Sequence, residues 1–423
     1  MFHFRFRGIS RIFAGEPMAS ILIQNIKTLW QTETGTRKLV SGKDMSVIPH
    51  VNNAWLLVEH GIIKGFGEMN STPQHADSII DATGKMVLPA FCDSHTHLVF
   101  AANREEEFAM RIAGKSYEEI AAAGGGILNS VKKLQTMDDS ELFDKAWVRL
   151  EELKQLGTGA IEIKSGYGLN LDAEIKMLRV IRTLREKSKV LIKATFLGAH
   201  AIPAEYKNDR GGYIKLIIEE MLPKIAGEGL ADYCDVFCEK GYFTNEETDE
   251  ILQAASKYNL KGKIHVNQFT NSGGIDIAIK NNALSVDHLE YLNATEINAL
   301  KNSKTLPVAL PGCSFFINIP YTPGRQIIDA GLPLVLASDF NPGTSPSGNM
   351  AFVIALACTQ MKLTPEEAFN AATINGAAAL ELENEVGTIA IGKRANLILT
   401  KKINSLAEIP YSFGSNLIER VII

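Results

Sequence analysis

The 423-residue sequence is poor in cysteine, with five in all. The number is odd and the spacing irregular, which argues against a disulfide framework and against a structural zinc knuckle. Cys234 and Cys238 fall four apart in a predicted strand. They share one face and are expected to be buried structural thiols. A basic surplus is also missing. The net charge is −5, and no basic stripe of the kind a nucleic-acid binder carries is present. No apolar run reaches the ~18 residues needed to span a membrane. In residues 1–17, Arg5, Arg7 and Arg11 interrupt the apolar residues, so this stretch has no signal-peptide core and is expected to be a disordered extension. These absences favour small-molecule chemistry in a reducing cytoplasm, without nucleic-acid or membrane partners. On base rates for soluble enzymes a homodimer is expected.

What is present is apolar enough for a sizeable core. Apolar residues make up 46% and charged residues 22%, ordinary for a globular chain whose length suits a large domain plus a smaller one. Short apolar stretches broken by polar turns mark the two ends. They include Ile21-Leu22-Ile23, Ala54–Val58 and Ile62–Phe66, and again Gly387–Lys393 and Ala395–Thr400, which read as a hairpin and its neighbour. The expectation is a small composite β-sandwich domain from residues 18–87 plus 376–423.

The middle, residues 88–375, alternates apolar strands with helical segments, the signature of parallel βα units. Strands are predicted at Met86–Cys92, Gly159–Lys164, Lys193–Leu197, Tyr233–Cys238, Lys263–Val266, Ala283–Asp287, Thr305–Leu310 and Pro333–Ala337. Helices are predicted at Asp172–Lys187, Gly211–Ile225 and Asn245–Tyr258. The fold class is α/β, a (β/α)8 TIM barrel, with an open doubly wound sheet as the alternative. The barrel is preferred because polar residues collect at strand C-termini, where barrel enzymes keep their chemistry. Of nine histidines, His95, His97, His200, His265 and His288 lie there, with Glu239 and Asp339.

His95 and His97 sit two apart on an extended segment, so both imidazoles reach one side. A lone His-x-His motif is weak, since a pair of polar loop histidines is the commoner explanation. His265 and Asp339, each just past another strand, complete a set that suits one divalent ion, Zn or Fe. Such an ion can activate a water near neutral pH. His288 can bond a substrate carbonyl or move a proton, and Asp339 can accept the proton of the water. A satisfied core histidine or a further ligand is the alternative for His288.

The blocks Pro89–Phe100, Asn103–Phe108, Gly124–Ile127, Glu162–Leu169, Phe196–His200 and Ser338–Thr344 carry a resemblance. His-Thr-His after strand one, histidines after strands five and six, and an Asp after strand eight resemble the amidohydrolase superfamily. The longer blocks are similar to the imidazolonepropionase family within it, over about Ile21 to the C-terminus. The resemblance implies hydrolysis of 4-imidazolone-5-propionate to N-formimidoyl-L-glutamate by attack of metal-activated water on the ring carbonyl. It implies metal ligands at His95, His97, His265 and Asp339, and substrate contacts at Arg104, Tyr167, His200, Gln268, Asn341, Gly343 and Thr344. Asp339, His288 and Gln268 form the implied catalytic group. An Arg suits a propionate carboxylate, although Arg104 could equally pair with Glu105–Glu107. Gln268 can position a ring but cannot act as a base. Binuclear relatives use a lysine after strand four; here that strand ends in Glu239-Lys240, which alternation aims oppositely, and Lys164 follows strand two, so one ion is expected. The competing readings are a hydrolase or deaminase acting on another heterocycle, and a non-catalytic scaffold, which would be expected to have lost ligands.

Overall fold

The structure is a computed structural model that describes residues 20–35, 37–115, 119 and 125–423. The expected extension at residues 1–17, and Gly124 of the glycine block, lie outside the described residues. Two sheets organise the chain. The first has seven strands. They are β1 (Ser20–Trp30), β2 (His50–Glu59), β3 (Ile62–Glu68), β4 (Ser78–Asp81) and β5 (Lys85–Pro89) from the N-terminal part, with β14 (Leu397–Lys402) and β15 (Ile418–Ile422) from the C-terminal part. Its order is β15-β14-β5-β1-β2-β3, with β4 also on β1. One edge of β1 pairs with β4 at Ile21–Gln24 and with β5 at Thr28–Leu29, on either side of an irregularity between Ile23 and Ile26. Alternate residues of these strands, among them Ile23, Leu56, Val87 and Leu397, enclose a small apolar core of their own. The hairpin expected at 387–393 is absent. Ile389 and Arg394 make only isolated bridges, to Thr32 and Ile62, and β14 pairs instead with β15 and β5.

The second sheet is an eight-stranded all-parallel barrel. Its strands are β6 (Phe91–Asp93), β7 (Thr158–Lys164), β8 (Leu191–Ala199), β9 (Tyr233–Cys238), β10 (Lys261–Val266), β11 (Ser285–His288), β12 (Leu306–Ala309) and β13 (Val335–Leu336). The expected strand Met86–Cys92 is two strands. It breaks at Ala90, so β5 belongs to the small sheet and β6 starts the barrel. The seam between β6 and β13 is closed just beyond the strands. Asp339 N–H donates to His95 O at 3.0 Å and His97 N–H to Phe340 O at 2.9 Å. The closing bonds therefore run through the residues expected to bind metal.

Helices cover the outside of the barrel. Leu171–Lys187 starts at Asn170, whose side chain accepts from Ala173 N–H, and Asn245–Ser256 starts at Thr244 with a full capping box. The segment expected as one helix from Gly211 is helical through Arg210–Glu228 but passes through a π turn at Leu216–Met221. Their buried leucines and isoleucines pack on the outward residues of the strands. No helix among the described residues is long and apolar enough to cross a membrane.

Candidate active site

Inside the barrel the alternation of β-strands brings polar side chains inward in layers. Glu162 and Lys164 on β7, Thr195 on β8, Asp235 on β9, Lys263 and His265 on β10, and Ser285 and Asp287 on β11 are all buried. Above them, His95 and His97 leave β6, and Asp339 follows β13.

Four donor atoms converge. His97 Nε2 lies 3.4 Å from His265 Nε2, and Asp339 Oδ1 lies 3.5 Å from both His95 Nε2 and His97 Nε2. His95, His97 and Asp339 can share one ion by mutual distance, as can His95, His265 and His288. Two imidazoles are oriented from behind. His95 Nδ1–H donates to Asp287 Oδ2 at 2.6 Å, and His265 Nδ1–H donates to Asp235 Oδ1 at 3.0 Å. Each bond fixes the tautomer and turns the Nε2 lone pair inward. Burial holds His95 and His97 well below the usual histidine range and His265 down to about 4. Neutral imidazole is the form a metal needs.

Lys164 sits beneath this group. Its ammonium donates to Glu162 at 2.6 Å and Asp235 at 2.7 Å and lies 3.9 Å from Asp287. Burial opposes its charge, but these carboxylates outweigh the penalty and keep it protonated. Lys263 pairs with Glu162 and donates to Ser94 O at 2.9 Å. One lysine thus ties together the two aspartates that orient His95 and His265.

A cavity of about 150 Å³ reaches three of the four donors, His97, His265 and Asp339. Arg104, Tyr167, His200, Gln268, His288, Asp339, Asn341 and Thr344 all line it. Arg104 donates through Nε and Nη2 to Glu107 at 2.8 and 2.5 Å, so the ion pair considered as an alternative exists alongside the pocket position. Gly343 lies against Arg104, where a Cβ would come within 2.4 Å of Nη1. The Asn341 amide is engaged by its own loop. Its Oδ1 accepts from Gly343 N–H at 2.8 Å and Thr344 N–H at 2.7 Å, and its Nδ2 donates to Asp339 O at 2.7 Å. Gln268 Nε2 donates to Cys313 Sγ at 3.3 Å. His288 Nδ1–H faces Glu290 Oε1 at 3.4 Å. Burial pushes His288 down, but the Glu290 charge and hydrogen bond hold it above its usual value. Burial lifts the Asp339 carboxyl to about 6.

A sequence profile described as Amidohydrolase family matches residues 86–423. The imidazolonepropionase of Flavobacterium johnsoniae is 58% identical over 403 residues, covering 95% of this chain and 98% of the relative. That of Caldanaerobacter subterraneus is 41% identical over 404 residues, covering 96% of each. The chain belongs to the imidazolonepropionase family of amidohydrolases. Among solved structures, Escherichia coli guanine deaminase superposes with a TM-score of 0.73 at 14% identity, covering 96% of this chain and 97% of that one. A triazine hydrolase variant also gives 0.73 at 14%, covering 96% and 93%. At that identity the likeness shows the shared fold alone.

Amidohydrolases are metal-dependent, and this member of the imidazolonepropionase family carries the groups to fit an ion. Among the described residues His95 Nε2 is buried with no hydrogen-bond partner, a costly state that ligation would relieve. Three neutral nitrogens and a carboxylate are a donor set for Zn²⁺ or Fe²⁺. Sequence reading missed the supporting charges Glu162, Asp235, Lys263, Asp287 and Glu290, and the apolar wall of Phe237, Tyr242 and Phe269. The signal was there. Charged residues at alternate positions of buried parallel strands, as in Glu162-x-Lys164 and Lys263-x-His265, all face the barrel axis.

Proposed function

We propose that this chain, a hydrolase of cyclic-amide C–N bonds, opens the ring of 4-imidazolone-5-propionate to give N-formimidoyl-L-glutamate, a step of histidine degradation. The observation that carries the reading is one small cavity lined both by His97, His265 and Asp339 of the donor group and by Arg104. His95, His97, His265 and Asp339 would hold one divalent ion, Zn²⁺ or Fe²⁺. Such an ion, when bound, supplies a Lewis acid and lowers the pKa of water.

The residues of the chain do the rest. Arg104 has Nε and Nη2 turned to Glu107, which leaves Nη1 for the propionate carboxylate. The rings of Tyr167 and His200 lie 5.6 Å apart, and His97 stacks on His200 at 5.3 Å. Tyr167 and His200, tilted 53° to one another, offer aromatic faces to a flat ring. With its amide nitrogen on Cys313, Gln268 presents Oε1 to accept from a ring N–H. His288, backed by Glu290, donates to the ring carbonyl oxygen as charge develops there. Asp339 takes the proton of the attacking water. It then passes that proton to the leaving ring nitrogen, and the C–N bond breaks.

The test is turnover by the purified protein of imidazolone propionate against guanine, cytosine and hydantoin. Selective opening of imidazolone propionate is expected. Preference for any of the other three would refute the assignment.

A further inference from the structure

We propose that Glu174 is a positioning residue for substrate, holding Tyr167 and His200 in place through the loop between β7 and the helix Leu171–Lys187. The proposal rests on the reading of Tyr167 and His200 as substrate contacts. Glu174 lies near the start of that helix and is fully buried. It faces back into the loop. Its Oε2 accepts from Gly166 N–H at 3.0 Å, and its Oε1 accepts from Gly168 N–H at 2.7 Å and Leu169 N–H at 2.9 Å. Gly166 and Leu169 both have left-handed backbone, at φ +107° and +53°. A Cβ on Gly168 would come within 2.4 Å of Glu174 N. Sequence and carboxylate together therefore specify a tight turn that a flexible loop would not hold.

Two pocket side chains depend on that turn. Tyr167 is carried within it. Gly166 O accepts from His200 Nδ1–H at 3.0 Å, which fixes the His200 tautomer and leaves Nε2 for the cavity. Helix capping does not account for Glu174, because the Asn170 side chain already accepts from Ala173 N–H at 2.9 Å. Nor does apolar packing, which an uncharged side chain would serve without burying a carboxylate.

Other acids brace neighbouring loops in a similar way. Glu107 accepts from Gly126 N–H at 3.0 Å as well as from Arg104. Glu239 accepts from Phe269 N–H at 2.9 Å, next to Gln268. Glu174 differs in making all its bonds within the loop that carries a pocket residue.

The test uses the full-length, metal-loaded Glu174→Gln protein. The amide has the shape of the carboxylate but sets an NH2 against backbone N–H groups. Faster hydrogen exchange at Gly166, Gly168 and Leu169 is expected, with KM raised about tenfold, kcat within about twofold and metal content unchanged. In a double-mutant cycle, Tyr167→Ala should raise KM less in the Glu174→Gln background than in the parent. If Glu174→Gln does not fold, Gly168→Ala crowds the same turn with Glu174 intact, and the same rise in KM is expected. Parental exchange rates at the three amides would overturn the proposal. So would an unchanged KM in both variants, or strictly additive effects in the cycle. The exchange measurement needs no substrate, so a protein that fails to open imidazolone propionate would refute the assigned reaction and leave this readout standing.

Discussion

Replacing Asp287 by Asn removes one charge from a bond between two fully buried side chains, 2.6 Å from His95 Nδ1. The amide oxygen is a weaker acceptor than the carboxylate it replaces. The amide can also turn its NH2 to His95, which would move the imidazole proton to Nε2, the atom the ion needs. Substitutions behind a metal-bound histidine commonly cost 10–100-fold in affinity, or about 1.4–2.7 kcal/mol. The fold should survive, because Lys164 keeps Asp235 and Glu162 and stands farther from Asp287, at 3.9 Å. Asp235→Asn should cost more. Asp235 also accepts from His265 N–H at 3.2 Å and is bonded to Lys164. The assay is competition with a chelator for Zn²⁺, with circular dichroism to confirm folding. Parental affinity in a folded Asp287→Asn protein would refute the argument that the aspartates set the tautomers of the cage.

Further expectations follow from the same contacts. Arg104→Gln removes the carboxylate partner and should raise KM about 10–100-fold with a smaller effect on kcat. Steady-state kinetics check this, and an unchanged KM would show that Arg104 serves only Glu107. Tyr233→Phe deletes a buried bond from the Tyr233 hydroxyl to Leu380 O at 2.9 Å. It should lower stability by about 1 kcal/mol in denaturant titration and leave KM alone. Stripping the ion with a chelator should lower the melting temperature, and Zn²⁺ or Fe²⁺ should restore it by binding the folded state. A melting temperature indifferent to the ion would count against the cage.

Much of this was legible in the sequence because the barrel imposes two simple rules. Strand ends face the pocket, and alternate strand residues face the axis. The first rule points to His95, His97, His200, His265, His288 and Asp339, and the structure brings all but His95 to one cavity. The second is harder to read for charges. Lys164, Glu162 and Asp235 do not stand out in the sequence, because a lone buried charge is costly and is not expected in a core. Their mutual pairing, invisible in one dimension, makes the burial tolerable. The break at Ala90 was unreadable for a similar reason. Met86–Cys92 is continuously apolar because both of its halves are buried, one in each sheet. Residues 387–393 carry a strand-like composition, yet they find only isolated bridge partners. Glu174 was hidden because its role is set by contacts to backbone, which leave no side-chain pattern.

The most direct test of the central claim is elemental analysis of the purified protein coupled to its turnover of 4-imidazolone-5-propionate. The account predicts one equivalent of Zn or Fe per chain, with activity and metal lost together in His265→Ala and Asp339→Ala. Full turnover by protein without metal, or by either variant, would contradict it.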